Sequence, residues 1–222
     1  MNTSSPNTQQ LGPNSTMTPP GRAYQEHILN EIEANRSIYI EFLQSFVGAA
    51  SPNPPGDTRA ASEVIKTFLS RNDVRPITIA PLAHAINVFA SFNGEQGNGR
   101  RVLFNGHIDT FPLNDDTTRL FPPCSGLNDG ERIHGLGAVG MKAGTAASVI
   151  AFTILKKWSS HLTGSVALMA VSDEESGARY GTQYLLELWG DSLNADYCVI
   201  NGEPGGLQSV RFGEKGERCR IC

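Results

Sequence analysis

The strongest constraint on the fold lies in the second half of the chain, where short apolar runs alternate with helical stretches between residues 101 and 200. Residues 101–104, 165–171 and 197–200 read as strands, and residues 141–158 and 177–189 carry apolar side chains at helical spacing. Strand, helix, strand, helix, strand is the pattern of an α/β fold with a mostly parallel sheet, because each parallel neighbour is reached by a crossover. The helix over 141–158 holds Ala143, Gly144, Ala146, Ala147, Val149, Ile150, Phe152, Ile154 and Leu155. Small and apolar nearly all round, it is expected to be deeply buried. Upstream, Ile28, Ile32, Tyr39, Phe42, Leu43 and Phe46 predict one amphipathic helix over residues 24–47, stopped by Ser51-Pro52-Asn53-Pro54-Pro55-Gly56. Asp57 or Thr58 is expected to cap a second helix with the stripe Ala61, Val64, Ile65, Phe68 and Leu69, and residues 86–92 read as a strand closed by Asn93-Gly94.

The two ends read differently. Residues 1–22 are a Ser, Thr, Asn, Pro and Gln tract with too little apolar surface to offset the entropy of ordering it, so disorder is expected there and residues 23–222 form the folded part. Residues 207–212, the turn Gly213-Glu214-Lys215-Gly216 and residues 217–222 read as a hairpin whose second strand has barely begun. The 18 Lys and Arg against 22 Asp and Glu give a net charge of -4, which offers no basic footprint for nucleic acid. No apolar run approaches the ~20 residues that cross a bilayer, so no membrane partner is expected. Arg22 is the first base and no apolar signal region precedes it, which makes cytoplasm the expected location. Four cysteines, Cys124, Cys198, Cys219 and Cys222, are too few for a disulfide framework.

Three polar clusters each follow an apolar strand: His107 and Asp109 after Val102-Leu103-Phe104, Asp173-Glu174-Glu175 after residues 166–171, and Glu203 after Val199-Ile200. Ligands of open α/β sheets bind at the carboxyl ends of the strands, so three independent elements deliver imidazole and carboxylate to one rim. Taken singly each cluster is weak, since an acidic triplet is commonly a solvated helix start. Their shared register is what points to a site. Imidazole and carboxylates without cysteine suit Zn²⁺ or a similar ion, with Co²⁺ or Mn²⁺ as alternatives, and in His-x-Asp the Asp can orient the ring. Adjacent side chains on a turn diverge, so one of Glu174 and Glu175 can bind metal while the other takes a proton from water.

Phe104-Asn105-Gly106-His107-Ile108-Asp109-Thr110-Phe111-Pro112, Ser172-Asp173-Glu174-Glu175-Ser176-Gly177, Gly202-Glu203-Pro204 and the loop of residues 51–56 resemble motifs of one family, in the right order. It is the dizinc metallopeptidase and amidohydrolase family of acetylornithine deacetylase, succinyl-diaminopimelate desuccinylase, aminoacylase and glutamate carboxypeptidase. The resemblance runs from about residue 24 to the last residue. It implies a zinc-exopeptidase-like catalytic domain of deacylase or carboxypeptidase type, acting on the amide bond of N-acyl amino acids or small peptides. It further implies that His107 and Glu203 hold one zinc and Glu175 the other, that Asp109 orients His107, and that Glu174 is the general base.

Two departures from that pattern shape the expectation. Where the family has Asp-Met-Lys-Gly-Gly, this chain has Gly140-Met141-Lys142-Ala143-Gly144, so the metal-bridging Asp is Gly140. Two dications about 3.5 to 4 Å apart repel strongly without a bridging carboxylate, so at most one weakly bound ion is expected. The family's lid and dimerisation domain and its C-terminal catalytic segment, which carries the final His ligand, would follow near Cys222. A truncated, impaired hydrolase is therefore expected, or an inactive relative that acts as a binding protein. An incomplete sheet would leave an edge open to self-association. The same substitution creates Gly135-x-Gly137-x-x-Gly140, a dinucleotide fingerprint. That reading fails, because Asn128-Asp129-Gly130-Glu131-Arg132 precedes it in place of a strand and no acid follows before Asp173.

Overall fold

The computed structural model describes residues 19–114, 120–190 and 197–203. Residues 1–18 of the expected tail and the expected hairpin of residues 207–222 lie outside the described residues. Where one helix over residues 24–47 was expected there are two, α1 (Pro19–Ala34) and α2 (Arg36–Gly48). Asn35 separates them with φ -106 and ψ 14, a short polar residue suited to a helix boundary that apolar spacing does not register. Helix α1 takes in residues 19–22 of the expected tail and belongs to a separate compact unit.

The unit of residues 35–204 is an α/β fold. Its five-stranded sheet has the order β1 (Ile77–Ile79), β2 (Asn87–Asn93), β6 (Ser165–Val171), β3 (Arg101–His107), β7 (Tyr197–Asn201). The strands β6, β3 and β7 run parallel, while β1 and β2 pair antiparallel on the other side. One face is covered by α2, α3 (Arg59–Arg71) and α4 (Met141–Lys157), whose Phe46, Ile65, Leu69, Val149 and Phe152 pack on Val88, Phe104 and Leu168. The other face packs Leu103, Met169 and Val171 against Leu185 of α5 (Thr182–Trp189). A two-stranded ribbon, β4 (Leu127–Asn128) with β5 (Ile133–His134), stands apart from the sheet.

Three local differences from expectation have physical causes. Strand β3 runs on through Asn105, Gly106 and His107, because Met169, Ala170 and Val171 of β6 supply a ladder that local polarity gives no hint of. Helix α5 starts at Thr182, five residues later than the apolar spacing predicts, because Gly177 (φ 101) and Ala178 (φ 60) are left-handed and no helix passes through them. Thr58 does stand at the cap position of α3, but its hydroxyl accepts from Ile86 N–H at 2.8 Å and so ties the helix to the segment entering β2.

Helix α4 is buried as expected, and its burial includes a charge. Lys142 is 1% exposed, and its Nζ donates to the carbonyls of Phe46 at 3.0 Å and Ala49 at 2.6 Å, tying the orphan carbonyls at the end of α2. Burial pushes this ammonium down to about 8, against a smaller upward pull from Cys124 and Asp109. The unfolded chain keeps the Lys142 proton up to its usual 10.5 while the folded chain releases it from about 8, so stability rises with pH across that window. Urea denaturation at pH 7 to 10 should show this rise in the wild type, and Lys142→Met should flatten it.

Candidate metal centre

His107 is the last residue of β3 and Asp109 follows one residue beyond the ladder, where Ile108 N–H still donates to Val171 O at 2.8 Å. Gly106 allows this close packing, since a Cβ there would strike Thr145 and Met141 of α4. Thr145 Oγ1 donates to His107 O at 2.8 Å, fixing the strand end from the helix side. The acid turn follows β6. Asp173 is left-handed (φ 68, ψ 21), and residues Glu174–Ser176 form a single 3-10 turn. Its carboxylate accepts from Tyr180 N–H at 3.0 Å, which holds the loop closed.

The Asp109 carboxylate joins these segments. It accepts from His107 Nδ1 at 3.2 Å, Glu174 N–H at 3.2 Å, Glu175 N–H at 3.1 Å and Asn53 Nδ2 at 2.9 Å. Burial alone would raise this carboxyl, but the hydrogen bonds from His107 and Asn53 outweigh it and hold Asp109 below its usual range. Burial likewise opposes a charged His107, yet the bond and charge of Asp109, with Glu174 and Glu203, raise the imidazole above its usual value. Glu175 is pushed up, first by burial and then by Glu174, Asp109 and Glu203, against the pull of His107.

The remaining carboxylates gather around the other ring nitrogen. His107 Nε2 lies 3.6 Å from Glu174 Oε2 and 3.5 Å from Glu203 Oε2. One ligand atom each from His107, Glu174 and Glu175 fall within 4.8 Å of one another, the one such group of three among the described residues. Glu203 meets His107 but is not in that group of three. It is carried just past β7, where Gly202 backs directly onto Gly144 of α4 with no room for a Cβ on either.

These residues fit a divalent cation. Both partners of Nδ1, the carbonyl and the carboxylate of Asp109, are acceptors, so the proton of a neutral ring sits on Nδ1. In that neutral tautomer the Nε2 lone pair faces the side-chain oxygens of Glu174 and Glu203, at separations too long for good hydrogen bonds. Two ligand bonds of about 2.1 Å at a tetrahedral angle put ligand atoms about 3.4 Å apart, close to the spacing found. Gly140, the N-cap of α4, has ordinary extended backbone and only Gly137 within 4 Å of where a Cβ would lie, so a larger side chain fits there.

A model of the peptidase family M20/M25/M40 matches residues 103–215, just over half of the chain. The chain belongs to this family. The M20 chain is 26% identical over 187 residues to succinyl-diaminopimelate desuccinylase of Rickettsia felis, covering 81% of this chain and 48% of that enzyme. With the same-named enzyme of Coxiella burnetii it shares 32% identity over 120 residues, 52% of this chain and 32% of that one. It thus spans about half, or less, of the curated relatives it matches. Its fold is similar to an M20 family metallo-carboxypeptidase from Sulfolobus solfataricus (TM-score 0.60, 22% identity, 74% of this chain and 36% of that one). Human carnosine dipeptidase 1 is similar too (TM-score 0.62, 17% identity, 79% of this chain and 41% of that one).

Several residues that shape this candidate site have no chemistry legible in sequence. Asn53 is one. Asn87 of β2 is another: fully buried, it accepts from Ser172 N–H at 2.8 Å and donates to Tyr180 O at 2.8 Å, bracing both ends of the acid turn. The 51–56 loop was visible as a motif, but no signal marked which of its residues reaches the acids. Because Asp109 satisfies four donors at once, Asp109→Ala should lower the unfolding free energy by about 3 kcal/mol. Urea denaturation near neutral pH measures it.

Proposed function

We propose that this chain carries a metal-holding portion of an amide hydrolase acting on N-acyl amino acids or small peptides, working in the cytoplasm. The observation that supports this most is the convergence of His107 Nε2 with Glu174 and Glu203 at 3.6 and 3.5 Å, with Glu175 beside them. In this reading His107 and Glu203 hold one ion, Zn²⁺ by preference with Co²⁺ or Mn²⁺ as substitutes, and Glu175 belongs to the second position. Asp109 holds the ring in the tautomer that leaves Nε2 free. A divalent ion bound here supplies Lewis acidity, polarising an amide carbonyl and making water a better nucleophile at neutral pH. Glu174, half exposed at the mouth of the site, takes the proton of the attacking water and passes it to the leaving nitrogen. The raised Glu175 carboxyl favours the swapped assignment, with Glu175 as base and Glu174 as ligand, and the two glutamines below separate them.

Gly140 sets the limit on this activity, because no carboxylate stands there to offset repulsion between two ions. One weakly held ion follows, and with it either an impaired enzyme or a relative that binds substrate without turning it over. Calorimetry with Zn²⁺ should give no more than one weak equivalent, and two tight equivalents would refute the reading. Gly140→Asp should raise affinity, since its backbone and surroundings accept a side chain, and His107→Ala should abolish binding. In any form that hydrolyses N-acyl amino acids, Glu174→Gln should remove turnover at nearly unchanged metal content. If Glu175→Gln does so instead, the base is Glu175.

The edge strand β7 pairs only with β3 among the described residues and exposes Val199 (57%) and Ile200 (43%). We infer that this edge supports self-association. Size-exclusion chromatography should show mass rising with concentration, and a monodisperse monomer at all concentrations would overturn this.

A further inference from the structure

The loop of residues 51–56 supplies no ligand, yet its Asn53 touches both acid-bearing segments. The side chain is buried, 5% exposed. Its Nδ2 donates to Asp109 Oδ2 at 2.9 Å and to Asp173 Oδ1 at 3.4 Å, and its Oδ1 accepts from Ser176 Oγ at 2.8 Å. A primary amide suits this place because it offers two N–H groups at one end and an acceptor at the other. The backbone beneath it is held separately. Asn53 N–H donates to Thr110 O at 2.8 Å and Thr110 N–H to Ser51 O at 2.9 Å, so the loop lies as a short parallel bridge along the segment after β3. Gly56 (φ +76) then turns the chain back so tightly that a Cβ would sit 3.1 Å from Asn53 Oδ1.

We propose that Asn53 is a positioning residue of the metal centre. By holding Asp109 and Asp173 to one amide, it fixes the distance between the segment that carries His107 and the turn that carries Glu174 and Glu175. The inference rests on the reading of His107 and these acids as the metal-holding set, and it deepens that reading, since Asn53 touches none of their ligand atoms. Without the amide, the Asp173 carboxylate keeps only Tyr180 N–H among its described bonds, and it faces Asp109 with no shared donor. Like charges so placed repel, and the turn moves away from the strand end.

Three variants of the full chain test this: Asn53→Asp, which keeps the shape and turns the donor into an acceptor, Asn53→Ala, and Ser176→Ala. In metal-free protein, hydrogen exchange at the Glu174 and Glu175 amides should quicken by about tenfold in Asn53→Asp while the β6 amides stay as in the wild type. In a Co²⁺ titration followed by visible absorption, the affinity should fall about tenfold, and the band at saturation should shift as the ligand geometry changes. Ser176→Ala should move both readouts the same way by less. Wild-type exchange at Glu174 and Glu175 together with wild-type Co²⁺ affinity in both Asn53 variants would overturn the proposal. If those variants unfold globally, Ser176→Ala decides, and unchanged local exchange in it overturns the proposal. A wild type that takes up no Co²⁺ would sink the metal reading, and the exchange result alone would then decide whether Asn53 fixes the turn.

Discussion

The carboxylate of Asp109 is the contact on which the rim depends. It is 1% exposed, and a bare charge at that depth would be costly. Each of its oxygens takes two donors, so no lone pair is left without a partner. Two of the donors are consecutive backbone amides, and that ties the turn after β6 to the end of β3 without any side chain of the turn being used. Glu174 and Glu175 are thereby left free to point at the imidazole. The order of construction is therefore strand ladder, then Asp109, then ring tautomer, then the facing acids.

How much of this could be read from residues alone differs from element to element. Strand β6 was legible to the residue, because Val166 to Val171 is apolar on both faces and only a strand covered on both sides buries such a run. The last three residues of β3 were not, because their strand character comes from pairing with β6 and not from their own side chains. His107, Asp109, Glu174, Glu175 and Glu203 stood out because each follows an apolar run that reads as a strand, and strand ends share a rim. Asn53, Asn87 and Lys142 did not. Their partners lie 56 to 123 residues away for Asn53 and 85 to 93 residues away for Asn87, and a lone polar residue reads the same in sequence whether it is solvated or buried.

Gly140 shows a fold and a site responding differently to one change. As the N-cap of α4 it makes no side-chain cap, and the first turn of that helix holds no acid. Glycine in place of aspartate at an N-cap costs only a few tenths of a kcal/mol. Helix α4 is moreover held by its buried face and by Lys142, so its position does not rest on the cap. The electrostatic consequence is left to the space in front of the helix. A position whose loss hardly disturbs folding is one that can drift while the scaffold around it persists.

The three sources of the candidate ligands are not equally anchored. His107 and the paired glutamates hang from strands with neighbours on both sides, whereas Glu203 comes from a five-residue strand with one partner among the described residues, seated on α4 by a glycine-on-glycine contact. Local stability follows the number of such supports, so the Glu203 segment opens at lower free energy than the rest of the rim. Under the proposed ligand assignment, recruiting Glu203 to an ion and zipping β7 onto β3 become one event. Part of the intrinsic binding energy would then go into closing that strand, so the apparent affinity of such a centre would report the stiffness of the sheet edge as well as the quality of the ligands.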